Sequence, residues 1–211
     1  MAAIRAVLFD YAGVMTEDIR PVITDLAAAS GADPSELGRL LAGDYGMDAS
    51  MHPWHRVERG EMTVEDLIAW GREEGLARGW TLDLRGLMVG LMAVPIRQTI
   101  VDKARHLRGR GYRTALITNN AKELAPLWRA KFPVDEIFDE VVDSSAVGFR
   151  KPEPEIFELT LSRLGVAAAQ AVLLDDMEVN IVAARALGLH AIQVGTDEGP
   201  ALGELDRLLA A

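Results

Sequence analysis

The chain has 211 residues, 49% of them hydrophobic, with a formal net charge of −10 and no cysteine. That is enough apolar material for one large domain or a domain with a substantial insert. The acidic balance excludes a general nucleic-acid or anionic-membrane binder, though not small anionic substrates held by local positive charge. Without cysteine there are no disulfides, thiolate metal ligands or thiol nucleophile, and no apolar run approaches the roughly 20 residues of a membrane span, so a cytoplasmic protein is expected.

In chain order, the first element is the apolar run Ala6-Val7-Leu8-Phe9, which stops at Asp10 and is followed by Gly13. The run is short and ends in an acid, which reads as a buried strand rather than a signal peptide. Residues 15–94 then show amphipathic helical periodicity at 19–29, 34–41, 64–74 and 84–92, with no convincing buried strand. Asp33-Pro34-Ser35-Glu36 and Thr63-Val64-Glu65-Asp66 have the capping side chain and early acids of helix starts.

From about residue 95 the pattern alternates. Helices are expected at 96–108, 124–131, 153–164 and 179–187, and strands at 114–117, 140–142, 171–174 and 190–194. Pro152 and Pro154 suit the opening of the third of these helices, and Gly165 its left-handed end. Such alternation predicts an α/β fold, a Rossmann-like doubly wound parallel sheet. The domain reading is a core of residues 1–14 and 95–211 with an inserted helical cap, 15–94, after the first strand.

Open parallel sheets bind ligands at the carboxyl ends of their strands. Three strand ends here deliver Asp10, Thr118 and the pair Asp175-Asp176, and Lys151 stands just before a helix in Gly148-Phe149-Arg150-Lys151-Pro152. Carboxylates suit a hard cation such as Mg²⁺, while Thr118, the amides after it and Lys151 suit phosphoryl oxygens. The combination is an anion site built around a metal, suited to phosphoryl chemistry.

Asp10-Tyr11-Ala12-Gly13-Val14, Thr118-Asn119, Lys151-Pro152-Glu153-Pro154-Glu155-Ile156-Phe157 and Leu174-Asp175-Asp176 together resemble the four ordered motifs of the haloacid dehalogenase superfamily. The last block, running through Asn180 to Gly188, is similar to the branch that contains the phosphatase domain of soluble epoxide hydrolases. The resemblance implies a hydrolase in which Asp10 is the nucleophile, forming an aspartyl-phosphate and binding Mg²⁺. It also implies the Ala12 carbonyl and Asp176 as metal ligands, Asp175 as their neighbour, and Thr118, Asn119 and Lys151 as the phosphate-binding set.

Position 12 departs from the family. Most phosphatases of the superfamily carry there an aspartate that protonates the leaving alkoxide, and alanine cannot, which removes a contribution of about 10²–10⁴-fold. The loss matters less for acyl, aryl or anhydride leaving groups. The main expectation is therefore a Mg²⁺-dependent phosphatase of a small phosphorylated metabolite that tolerates Ala12 through its substrate or through a cap acid, in the stretch that holds His52, His55 and Glu58; His52, His55 and Arg56 are the cap candidates for substrate contact. A phosphonatase would need a cap lysine, and residues 15–95 contain none. A metal-independent haloacid dehalogenase and a catalytically weakened ligand- or partner-binding domain remain alternatives. The chain is expected to be a monomer or homodimer.

Overall fold

The computed structural model describes residues 3–43 and 51–210. Five parallel strands form one sheet: β1 (Ala6–Phe9), β2 (Arg113–Thr118), β3 (Glu140–Asp143), β4 (Ala171–Asp175) and β5 (His190–Gln193), in the order β3-β2-β1-β4-β5. The chain steps outward from β1 to one edge and then crosses to the other, so the switch point lies at the carboxyl end of β1.

The register explains why strand ends meet. Phe9 lies beside both Leu116 and Leu174, so Asp10 and Asp175 emerge next to one another, and Thr118 pairs with Asp143. Side chains alternate across the sheet with period two. Val7, Phe9, Leu116, Val172 and Leu174 enter the hydrophobic core on one face, and Ala6, Leu8, Ala115, Ile117 and Leu173 the core on the other.

Helices fill both faces. Between β1 and β2 come α1 (Arg20–Ser30), α2 (Pro34–Ala42), α3 (Pro53–Glu58), α4 (Val64–Ala77), α5 (Leu84–Ala93) and α6 (Gln98–Gly109). After β2 come α7 (Ala125–Arg129) and α8 (Val134–Ile137). Next are α9 (Ser144–Val147) and α10 (Pro154–Leu164) after β3, α11 (Glu178–Ala186) after β4, and α12 (Gly199–Ala210) after β5. Helix α6 and the aromatic residues Trp128, Phe132 and Phe138 cover one face, and Phe157 of α10 and Ile181 of α11 cover the other.

Helices α1, α2, α4 and α5 pack around an apolar cluster of their own that includes Leu26, Leu37, Leu67 and Leu84. Their starts are built as the sequence suggests. The Asp33 carboxylate accepts from the Ser35 and Glu36 amides at 2.9 and 3.0 Å, and Thr63 and Asp66 form a reciprocal capping box. Two chain crossings join this layer to the sheet. They run antiparallel, with the Glu17 amide donating to the Pro95 carbonyl at 2.9 Å and the Arg97 amide to the Met15 carbonyl at 2.8 Å.

Four helices lie outside the periodicity reading: the four-residue turns α8 and α9, too short to show a period, and α3 and α12. Helix α3 occupies a polar and aromatic stretch whose short length hides its period. Helix α12 follows the last expected strand, where Ala201, Leu202, Leu205, Leu208 and Leu209 carry helical spacing and pack on the sheet core.

Candidate active site

Asp10 leaves β1 with its amide bonded to the Leu174 carbonyl at 2.9 Å, which seats it at the sheet rim, 6% exposed. The turn after it is tight. Gly13 has φ +77°, and a Cβ there would lie 2.5 Å from Asp176 Oδ2. Only glycine lets this loop approach Asp176 without strain.

Lys151 arrives from the far side of β2 and is fully buried. Its Nζ donates to Asp10 Oδ1 at 2.7 Å and to Asp175 Oδ2 at 2.6 Å. Asn119 fixes its backbone: the Lys151 amide donates to Asn119 Oδ1 and Asn119 Nδ2 donates to the Lys151 carbonyl, both at 2.8 Å. The remaining oxygen of Asp175, Oδ1, accepts from the Met177 amide and from Asn180 Nδ2, both at 2.9 Å. Asp175 thus has both oxygens engaged within the protein, and Asp176, half-buried beside the Gly13 turn, faces the cavity.

The electrostatics follow from three carboxylates against one ammonium. Burial pushes Asp10 well above the usual carboxylate range; Lys151 opposes this, and the charges of Asp175 and Asp176 reinforce it. Burial, and then the Asp175 charge, raise Asp176 to about 6. Burial alone would lower Lys151, but Asp10 and Asp175 outweigh it and hold the ammonium above its ordinary value. Acidic oxygens of Asp10, Asp175 and Asp176 lie within 4.8 Å of one another. Two uncompensated negative charges on hard oxygen donors at one rim match what a divalent cation such as Mg²⁺ requires, so the residues present fit a metal.

Beside this rim lies a cavity of about 260 Å³, lined by Asp10, Ala12, Asn119, Lys151 and Asp176 on the sheet side. Apolar side chains of α1, α2, α4 and α5 form most of the facing wall. Its charged wall residues from outside the rim, among those described, are Glu58 and Arg150, and they pair with each other: Arg150 Nε donates to Glu58 Oε2, and Trp54 Nε1 donates to Glu58 Oε1 at 3.0 Å.

The expected site residues are distributed unevenly. Asp10, Asn119, Lys151, Asp175 and Asp176 converge. Thr118 ends β2 nearby and is 1% exposed, with its hydroxyl 3.5 Å from the Asn119 carbonyl, and it is not among the lining residues. The cap candidates point elsewhere. His52 caps α3, accepting from the Trp54 amide through Nδ1 and donating from Nε2 to the Leu40 carbonyl. His55 is buried and donates to the Ala42 carbonyl at 2.7 Å, and Arg56 lies 3.8 Å from Glu61. None of the three lines the cavity. Glu58, which stands with the histidines in that stretch as a candidate acid, does line it, as do Trp54 and Arg150; Trp54 and Glu58 bond on one face of α3 through their i, i+4 spacing.

The profile of haloacid dehalogenase-like hydrolases matches residues 4–188. The chain belongs to this family. Among curated proteins it is similar to acyl-CoA dehydrogenase family member 10 of Mus musculus (29% identical over 97% of this chain and 19% of that protein). It is also similar to sesquiterpene phosphatase astK of Aspergillus oryzae (27%, over 79% of this chain and 84% of that one) and to bifunctional epoxide hydrolase 2 of Rattus norvegicus (27%, over 98% and 39%). The chain therefore spans only a minor part of the mouse and rat relatives. Among solved structures, a predicted HAD-like hydrolase from Porphyromonas gingivalis shares the fold with TM-score 0.72 at 24% identity, over 98% of this chain and 99% of that one. A HAD family enzyme from Bacteroides thetaiotaomicron, in complex with magnesium and inorganic phosphate, does so with TM-score 0.65 at 20% identity, over 93% and 96%. This hydrolase has the five-stranded parallel α/β core of its family, and among the described residues no helix is long and apolar enough to cross a membrane.

Proposed function

We propose that this hydrolase is a Mg²⁺-dependent phosphatase that works through a phosphoryl group carried on Asp10. The observation that carries the reading is the rim itself: a buried lysine shared by Asp10 and Asp175, with Asp176 beside them and two negative charges left over. In this reading Asp10, Asp176 and the Ala12 carbonyl hold the metal. Asp175, with both oxygens already bonded, positions Lys151. When bound, the cation supplies charge neutralisation for the phosphoryl oxygens brought against Asp10.

The residues divide the remaining work. Lys151 orients the Asp10 carboxylate and offers positive charge to the phosphoryl group, and the Asn119 side chain holds Lys151 in place. Thr118 stands at the end of β2 as a further phosphate contact. The helical segment, residues 15–94, acts as a cap on the core of 1–14 and 95–211, closing the cavity against water. Phosphatase-named relatives and the magnesium–phosphate neighbour support the reading, and the substrate is a small phosphorylated compound in the cytoplasm.

Phosphate release from an activated aryl phosphate, with and without Mg²⁺ and beside a 2-haloacid control, tests it. The expected result is metal-dependent phosphate release that Asp10→Asn reduces to background. Halide release without metal, or an unchanged rate in Asp10→Asn, overturns it.

A further inference from the structure

We propose, resting on the phosphatase reading, that the substrate is an apolar aryl or acyl phosphate, a compound whose leaving oxygen departs without a proton. Two independent features of the cavity point there. The first is its wall. Ile23, Leu41, Leu67, Leu87, Met88 and Leu91 present hydrocarbon to the space beside Asp10. A sugar or other polyol bound against them would leave its hydroxyls without partners, at a cost that defeats binding. The volume of about 260 Å³ holds roughly nine groups of water size at about 30 Å³ each, enough for a ring or a chain of about eight carbons.

The second feature is that position 12 and the facing wall, among the described residues, hold no unengaged acid to protonate a leaving group. Ala12 has no side-chain proton. Glu58, the carboxyl on the facing wall, has both oxygens engaged, one by the Arg150 guanidinium and one by the Trp54 indole N–H. The histidines of α3 donate to carbonyls of α2 and do not line the cavity. Among the described residues, the helical wall facing Asp10 therefore binds hydrocarbon, and its carboxyl, Glu58, is already engaged.

The chemistry closes on such a substrate. The Asp10 carboxylate attacks phosphorus, the P–O bond to the leaving group breaks, and the electron pair departs with a carboxylate or phenolate that is stable unprotonated. The aspartyl-phosphate is itself an acyl phosphate. Water attacks its phosphorus, the P–O bond to Asp10 breaks and returns the electron pair to the carboxylate, and the protons of the water leave on the released phosphate. Neither departure calls for a general acid.

The test is kcat/KM for phosphate release by the full chain with Mg²⁺ across three series: linear acyl phosphates from acetyl to octanoyl, para-alkyl phenyl phosphates, and primary alkyl phosphates. Within the acyl series the leaving group is constant, so chain length isolates the wall, and kcat/KM should rise about threefold to fourfold per added methylene until the cavity is full. At equal carbon number, acyl and aryl phosphates should exceed alkyl phosphates by at least about a hundredfold, and Ala12→Asp should narrow that gap by raising the alkyl series. Ile23→Gln and Leu91→Gln, at half-buried wall positions, should flatten the chain-length dependence. Phosphate release with a flat acyl series, or alkyl phosphates cleaved as well as acyl ones, overturns this inference and leaves the phosphatase reading standing. Release from no member of any series overturns both.

Discussion

At the scale of single residues, the site concentrates like charge and then shares one cation among it. Removing Lys151 leaves Asp10 and Asp175 buried without it, a change that typically costs about 3–5 kcal/mol. Lys151→Met should lower the urea midpoint strongly at pH 7.5. The gap to wild type should narrow toward pH 5, because Asp10, which burial already holds above the usual carboxylate range, takes up a proton and sheds its buried charge once Lys151 no longer opposes this. An equal deficit at both pH values would show that lost packing, rather than charge, is responsible. Gly13 carries a different kind of constraint. Gly13→Ala forces a left-handed backbone on alanine and sets its Cβ against Asp176, so it should cost about 1–3 kcal/mol in thermal denaturation and weaken Mg²⁺ binding by calorimetry. These residues are legible in the sequence because each ends an apolar run or opens a turn. The role of Asn119 is not, since its two bonds to the Lys151 backbone span 32 residues.

At the scale of elements, local chemistry and tertiary docking can be separated. The capping box of α4 is local, and Thr63→Ala should lower stability by about 1 kcal/mol, read as a small shift in the denaturation midpoint with the slope unchanged. A loss several times larger would mean that the neighbouring contact from the Val64 amide to Glu123, at 3.2 Å, depends on the cap as well. Helix α3 is the opposite case. Six residues cannot sustain a helix alone, and what holds it is non-local: Glu58 to Arg150, Arg59 to Glu153 at 2.9 Å, and His55 to the Ala42 carbonyl. This is why the histidines of that stretch read as candidate substrate ligands in sequence and stand in the structure as ties between helices. The strands show the reverse: their unbroken apolar runs announce burial on both faces, and all five expected strands form.

For the whole molecule, the consequence is linkage between proton, metal and stability. Asp176 is raised from an ordinary value of 3.8 to about 6 in the folded protein. A raised carboxylate contributes stability that is present below pH 3.8 and is lost as pH rises through about 6. The metal-free protein should therefore lose part of its thermal stability between pH 5 and pH 7. Mg²⁺ should restore it, with a larger rise in Tm at pH 7.5 than at pH 5, because the cation binds the ionised carboxylates and competes with the proton. Equal Mg²⁺-induced shifts at both pH values would remove these acids from the metal site. The strand–helix alternation, the acids that end apolar runs at Asp10 and Asp175-Asp176, the Lys151-Pro152 motif and the alanine at position 12 are all legible in the chain alone, because they depend on local periodicity and on motifs at fixed positions. The fold alone sets the sharing of Lys151 between Asp10 and Asp175, the exposure of Asp10 and Asp176 to the cavity, and the hydrocarbon of its facing wall. Those facts are set by contacts between segments as much as 165 residues apart, as in the approach of Asp10 to Asp175, and no local pattern in the chain encodes them.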